Sequence, residues 1–188
     1  MTSDKQTRVA VLLGSTRTGS LNRRIAEHLR DNAPTGVTLD VVEGLDTIPF
    51  YTEEIDGDSV PAGASALRQA VASADRVLAV TPEYNGTMPA VLNNAIDWLS
   101  RPYGQGAIVG KPFAAIGATP TPYGGKWSHE HARHSATIAG AVVVDGIVVD
   151  ESAVAGDPLA DEAAVQRLLG ALDALVAHEV EAAAGALA

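Results

Sequence analysis

Gly14-Ser15-Thr16-Arg17-Thr18-Gly19-Ser20-Leu21-Asn22 stands between an apolar run, Val9-Ala10-Val11-Leu12-Leu13, and a helical pattern from Leu21 to Leu29. A buried strand, a loop of glycine, hydroxyls and one arginine, then a helix start: in this order a chain can build an anion site. Glycine lets the backbone approach the ligand. Hydroxyls and free N–H groups donate hydrogen bonds, and the positive end of the helix and the arginine favour negative charge. A P-loop needs lysine and then Ser or Thr after its second glycine. Here Gly14 and Gly19 have the spacing, but Ser20-Leu21 follow. The dinucleotide pattern G-x-G-x-x-G also fails, because Thr16 stands at its second glycine. What remains is a hydroxyl-rich loop that suits a terminal monophosphate. Taken alone, it is equally compatible with an ordinary strand-to-helix connection capped by Ser20.

A second segment shifts that balance. Val77-Leu78-Ala79-Val80 reads as a buried strand and runs into Thr81-Pro82-Glu83-Tyr84-Asn85-Gly86-Thr87-Met88-Pro89, then into a helix from Ala90 to Leu99. Pro82 and Gly86 punctuate a sharp loop. Pro89 fits the first turn of the helix, where a missing N–H costs nothing. The loop offers an aromatic ring, an amide and a run of backbone N–H groups at the carboxyl end of a strand. That equipment suits a flat heteroaromatic ring with polar edges. The local alternatives are that Tyr84 packs and that Asn85 holds a left-handed turn.

Gly14-Ser15-x-Arg17-x-x-Ser20-x-Asn22, together with Pro82-Glu83-Tyr84-Asn85-Gly86, Pro89 and Leu92-x-Asn94-Ala95-x-Asp97-Trp98, resembles the NAD(P)H-dependent FMN reductases of flavodoxin-like fold, with their quinone, azo-compound and chromate reductase relatives. The resemblance runs from about Arg8 to about Val144. One departure is Asn93, where many members carry lysine. The resemblance implies that Ser15, Arg17, Ser20 and Asn22, with Leu21 beside them, hold the phosphate of FMN. Pro82, Glu83, Tyr84, Asn85 and Gly86 would run along the isoalloxazine edge. A third loop, from Thr119 to Gly125, would close the other side of the ring, with Thr119 and Gly124 as its contact residues. The implied chemistry is transfer of hydride from NADPH or NADH to bound FMN, and then of electrons to a quinone, flavin, azo or metal-oxyanion acceptor. No side chain need act as acid or base. The resemblance also implies a homodimer or homotetramer.

The wider pattern predicts one α/β domain over residues 1–188, with residues 1–7 flexible. Strands are expected near Arg8–Leu13, Val37–Val42, Arg76–Thr81, Pro112–Ala118 and Ala141–Val144. Helices are expected near Leu21–Asn32, Gly63–Ser73, Ala90–Leu99 and Trp127–Ala139, with a long final helix from about Leu159. Alternating strands and helices imply a parallel sheet covered on both faces, and the continuous apolar runs agree. The resemblance implies the fold class: a flavodoxin-like three-layer sandwich with a five-stranded parallel sheet in order 2-1-3-4-5. In that order the first and third strands are neighbours, so the loops at Ser15 and Pro82 meet in one crevice. Leu168, Leu172, Leu175 and Val176 sit at helical spacing, as core packing requires. Gly44 to Pro61 reads as a long acidic loop near the substrate or a partner subunit. Ser100 to Gly110 reads as a loop loosened by Gly104 and Gly106, and Ile147 to Pro158 as an edge segment.

A formal net charge of -10 and the lack of a basic patch argue against nucleic acid and anionic membranes, and point to a cytoplasmic protein. No apolar run is long enough to span a bilayer, and the first residues lack a hydrophobic signal core. The absence of cysteine excludes disulfides and thiolate chemistry, so electron transfer needs a bound cofactor. His129, His131 and His134 crowd one segment. The H-E-x-x-H pattern fails there because Arg133 stands at its second histidine, and a solvated or subunit-facing helix is expected rather than a metal site. Two other functions keep the same fold: a flavodoxin-type electron carrier, and an FMN-binding regulatory domain without reductase activity.

Overall fold

The computed structural model describes residues 6–57 and 59–179. Five helices pack on a parallel sheet. Strand β1 spans Thr7–Leu13, β2 Val37–Val42, β3 Arg76–Val80 and β4 Pro112–Thr119. Helices α1 (Leu21–Asp31), α2 (Ala62–Ala72), α3 (Ala90–Leu99), α4 (Lys126–Ile138) and α5 (Glu162–Ala177) alternate with them. These four strands lie in the order β2-β1-β3-β4, as the family resemblance implies.

The fifth position is divided. Strand β5 is only Val142–Val143 and pairs with the start of β4 at Pro112 and Phe113. Strand β6, Asp150–Ser152, pairs with the end of β4 at Gly117, Ala118 and Thr119. One edge of β4 is thus covered by two short segments. The sequence showed the first as a strand and the second only as an edge segment, because Asp150-Glu151-Ser152 has no apolar alternation to mark it.

Alternate strand residues feed two cores. Ala10, Leu12, Val77, Ala79, Phe113 and Ala115 face α2, α3 and α4, where Leu67, Leu92, Trp98 and Ala132 meet them. Val9, Val11, Leu13, Leu78, Val80, Ala114 and Ile116 face α1 and α5, where Ile25, Leu29, Leu168, Leu172 and Leu175 meet them. This period-2 division is what a sheet buried on both faces requires. The expected flexible stretch 1–7 lies outside the described residues as far as residue 5. Its last two residues are held: Gln6 Nε2 donates to Thr38 Oγ1 at 2.8 Å, and Thr7 N to Gly36 O at 2.8 Å.

Within the stretch expected as a long acidic loop, residues 45–56 are held to the core at several points. Leu45 and Ile48 are buried against α2 and α3. Asn94 accepts Tyr51 N–H at 2.9 Å and donates to Pro49 O at 3.1 Å, and Trp98 Nε1 donates to the same carbonyl at 2.8 Å. Arg68 forms two 2.7 Å bonds to Asp56, donates to Trp98 O, and lies over the Trp98 ring at 5.1 Å. The Asn94-x-x-x-Trp98 portion of the motif therefore pins this loop. Nor is Ser100 to Gly110 loosened at both glycines: a Cβ on Gly106 would lie 2.2 Å from Leu99 O.

Candidate functional site

The loops after β1, β3 and β4 all leave the carboxyl end of the sheet, and β1 lies directly against β3 from Val9↔Arg76 to Leu13↔Val80. The first two loops touch where the strands end. Gly14 N donates to Val80 O at 2.9 Å, and a Cβ on Gly14 would lie 2.2 Å from Thr81 Oγ1. No larger residue fits there without parting the strands, so this glycine serves the approach of two loops as well as of any ligand.

At the first loop, Ser15 and Ser20 are buried while Thr16, Arg17, Thr18 and Gly19 are exposed. Ser20 stands at the N-cap of α1, yet its side chain makes no cap bond. The N–H groups of the first turn, from Leu21 to Arg23, are left for an external acceptor. The cations nearby differ in their engagement. Arg23 is bidentate to Glu43 at 2.7 and 2.9 Å, and Arg24 pairs with Asp157 at 2.5 Å. Among the described residues Arg17 has no such partner. A hydroxyl pair, unpaired helix N–H groups and an unpaired guanidinium together fit a dianionic phosphate. Arg17, Gly19 and Leu21 line a cleft of about 350 Å³ with Ala153 and Asp157. Asn22 behaves differently: its side chain is 3% exposed, its Nδ2 donates to Ala118 O at 2.9 Å, and its Oδ1 accepts Ala118 N–H at 2.9 Å. The side-chain amide holds the first loop to the end of β4, while the backbone N–H of Asn22, in the first turn of α1, is left for an external acceptor.

The second loop is a tight hairpin. Tyr84 and Thr87 exchange backbone hydrogen bonds at 3.0 and 3.1 Å, with Asn85 at φ 53° and Gly86 at φ 73° between them. Two positive φ angles in succession make a type I′ turn, which Asn-Gly favours. Asn85 therefore holds a left-handed turn, and its N–H and that of Gly86 make no hydrogen bond within the described residues. Tyr84 is half exposed and available to a ligand. Pro82 is buried. Glu83 is turned to α4, where its Oε2 accepts the N–H groups of Trp127 at 3.1 Å and Ser128 at 3.3 Å. Ser128 Oγ donates to Pro82 O at 2.7 Å.

In the third loop Thr119 is buried and its hydroxyl meets that of Thr121 at 2.8 Å. Gly124 has φ 65°, and a Cβ there would lie 2.1 Å from Asp150 O. The loop is thus pressed against β6. The rings of Tyr123 and Trp127 meet at a tilt of 52° with centroids 4.7 Å apart, and both are partly exposed.

The histidine segment divides. His131 and His134 are exposed, and His131 Nδ1 meets Thr87 Oγ1 at 2.8 Å. His129 is 0% exposed, which corrects the expectation of a solvated or subunit-facing helix at that position. Its Nδ1 lies 2.5 Å from Asp150 Oδ1 and its Nε2 3.1 Å from Thr81 O. The signal was available: Ala132 and Ala136 are the buried face of α4, and the same helical spacing runs back through His129. Among the described residues no group of three or more His, Cys, Asp or Glu is arranged to hold a metal ion.

Ion pairs set the charge around the loops. The hydrogen bond from Arg24 holds the Asp157 carboxyl below the usual aspartate range, and that from Arg23 does the same for Glu43. Away from the site, burial raises Asp97, which shares a groove of about 540 Å³ with Arg101, Tyr103 and His134. That groove lies between the carboxyl-terminal ends of α3 and α4 and includes none of the three loops. No helix among the described residues is long and apolar enough to cross a membrane.

A doubly wound parallel sheet with three loops gathered at its carboxyl end defines a flavodoxin-like fold. The model of the NADPH-dependent FMN reductase family matches residues 7–155, and the chain belongs to that family. It is 42% identical over 126 residues to a 2-hydroxy-1,4-benzoquinone reductase of a Burkholderia species, covering 67% of this chain and 68% of that one. It is 32% identical over 173 residues to a quinone reductase of Escherichia coli K12, covering 88% and 92%. The structure is also similar to FerB, a flavoenzyme NAD(P)H:acceptor oxidoreductase from Paracoccus denitrificans. There the TM-score is 0.80 at 30% identity, with 90% of this chain and 95% of that one covered.

Proposed function

We propose that this protein is an NAD(P)H-dependent FMN enzyme that reduces small aromatic acceptors of the quinone type. The observation that carries this reading is the pairing of an unengaged anion cradle with a hairpin of unengaged N–H groups on adjacent strands. Family membership and quinone-reducing relatives support it. Bound FMN would accept hydride from the nicotinamide and return electrons to the acceptor.

The protein's own tasks follow from its side chains. The first-turn N–H groups of α1, Ser15, Ser20 and Arg17 hold the phosphate. The N–H groups of Asn85 and Gly86 donate to the polar edge of the ring, where negative charge grows on reduction. Tyr84 and the Thr119–Gly124 loop bound the ring on its two sides. Asn22 and Glu83 act one layer back: they keep the loops in place. Assembly into a homodimer or homotetramer and a cytoplasmic location belong to the same reading.

The deciding experiment is a visible spectrum of the purified protein with FMN, followed by anaerobic addition of NADPH and of NADH. Bleaching of bound flavin, then recovery on adding a benzoquinone, is expected. A protein that stays colourless at saturating FMN, or whose flavin neither nucleotide bleaches, is not this enzyme.

A further inference from the structure

Three consecutive residues of α4 grip three consecutive residues of the second loop in antiparallel order. Trp127 and Ser128 bind Glu83, Ser128 binds Pro82, and His129 binds Thr81. His129 is fully buried, and its side chain bonds both the second loop, at Thr81, and β6, at Asp150. Asp150 in turn supports the third loop, since its carbonyl leaves no space for a side chain at Gly124.

Proton accounting gives this junction a definite state. A backbone carbonyl only accepts, so Nε2 of His129 carries the hydrogen shared with Thr81 O. Nδ1 then faces the Asp150 carboxyl across a single proton, carried by the ring or by the carboxyl. Either way the pair is neutral overall, and Asp150 ensures that Nε2 is a donor. We propose that His129 and Asp150 form a proton-sharing clamp that positions the second and third loops about the flavin ring. His129 is a positioning residue, acting through the Thr81 carbonyl, and nothing in its geometry lets it touch the ring. The FMN arm of this inference rests on the function proposed above; the clamp itself does not.

Substitutions can separate the two bonds. Asp150→Asn keeps a partner for Nδ1, because its amide N–H donates to a bare Nδ1 while Nε2 keeps its hydrogen. Asp150→Ala does not. His129→Gln retains a donor near the Nε2 position, whereas His129→Asn retains only the contact to Asp150. Ring nitrogen shifts of His129 in the flavin-free protein, amide exchange of residues 83–87 measured against core amides, and FMN titration are the readouts. Nε2 is expected to be protonated in wild type and Asp150→Asn. FMN affinity should be close to wild type in Asp150→Asn and His129→Gln, and about tenfold weaker in His129→Asn and Asp150→Ala, with faster exchange at 83–87, as expected for a lost buried hydrogen bond. A bare Nε2 in wild type, or His129→Asn binding FMN as tightly as wild type, or Asp150→Asn failing as badly as Asp150→Ala, overturns the clamp. If wild type itself takes up no FMN, the functional reading fails, while the nitrogen shifts and amide exchange still judge the clamp.

Discussion

Asn22 and Ala118 are joined by two hydrogen bonds, Nδ2 to the carbonyl at 2.9 Å and the amide N–H to Oδ1 at 2.9 Å, so the first turn of α1 is fastened to the end of β4. Both residues are buried. Removing the side chain leaves a peptide N–H and C=O of β4 without partners, at about 1–3 kcal/mol for each unsatisfied group. Asn22→Ala should therefore lower stability by about 2 kcal/mol or more, read by urea denaturation of the flavin-free protein. Asn22→Asp should not rescue it, because a carboxylate can take the N–H but is repelled by the carbonyl. A stable, wild-type-like Asn22→Asp would contradict this account.

Arg17 is exposed and lacks a carboxylate partner among the described residues, so its substitution should separate binding from folding. Arg17→Ala is expected to bind FMN about tenfold or more weakly, through loss of a charge-assisted phosphate bond, with denaturation of the flavin-free protein unchanged. Fluorescence titration of FMN measures the first and a urea curve the second. Equal affinity in the variant would remove Arg17 from the phosphate site.

Glu83 caps α4 from another loop, accepting two first-turn N–H groups. A carboxylate at a helix N-terminus satisfies orphan donors and favours the dipole. Glu83→Ala should cost about 1 kcal/mol and speed amide exchange at Trp127 and Ser128, while Glu83→Gln should retain part of both effects. If Glu83→Ala weakens FMN binding without altering exchange at α4, the residue contacts the ligand directly instead.

The Arg68–Asp56 pair makes a pH-dependent contribution. The hydrogen bond from Arg68 holds the Asp56 carboxyl below its ordinary value of 3.8. A lowered carboxyl adds stability that is complete above the ordinary value and is lost as pH falls through the folded one. Arg68→Ala should therefore destabilise the protein at neutral pH, and the difference from wild type should shrink below about pH 4. Denaturation curves of both proteins from pH 7 downward test this; a gap that widens on acidification would refute it.

Much of the fold was legible because its signals are local. The central strands β1, β3 and β4 carry continuous apolar runs, Val9–Leu13, Val77–Val80 and Phe113–Ile116, β2 at the edge alternates apolar and polar residues, and each helix shows its period in Leu, Ile or Ala. The exception, β6, is recruited by β4 rather than by its own side chains. The site was legible in part. The candidate anion loop, Gly14 to Leu21, could be picked out because glycine, hydroxyls and a helix start are its ingredients, though the same letters also suit an ordinary strand-to-helix connection. The hairpin could be read from Asn85-Gly86 because that dipeptide favours two positive φ angles. Within the same motifs, Asn22, Glu83, Asn94 and Trp98 could not be divided into ligand contacts and loop supports.

The sequence by itself determined the alternation of strands and helices, the two-faced burial of the strands and the loop composition that suits a phosphate, since these depend on neighbours a few residues apart. Only the tertiary structure decided which polar side chains face outward and which are turned to the scaffold. Asn22 meets a partner 96 residues away and His129 one 48 residues away. A buried polar group must take whatever donor or acceptor the packed chain brings to it, and no local pattern names that partner.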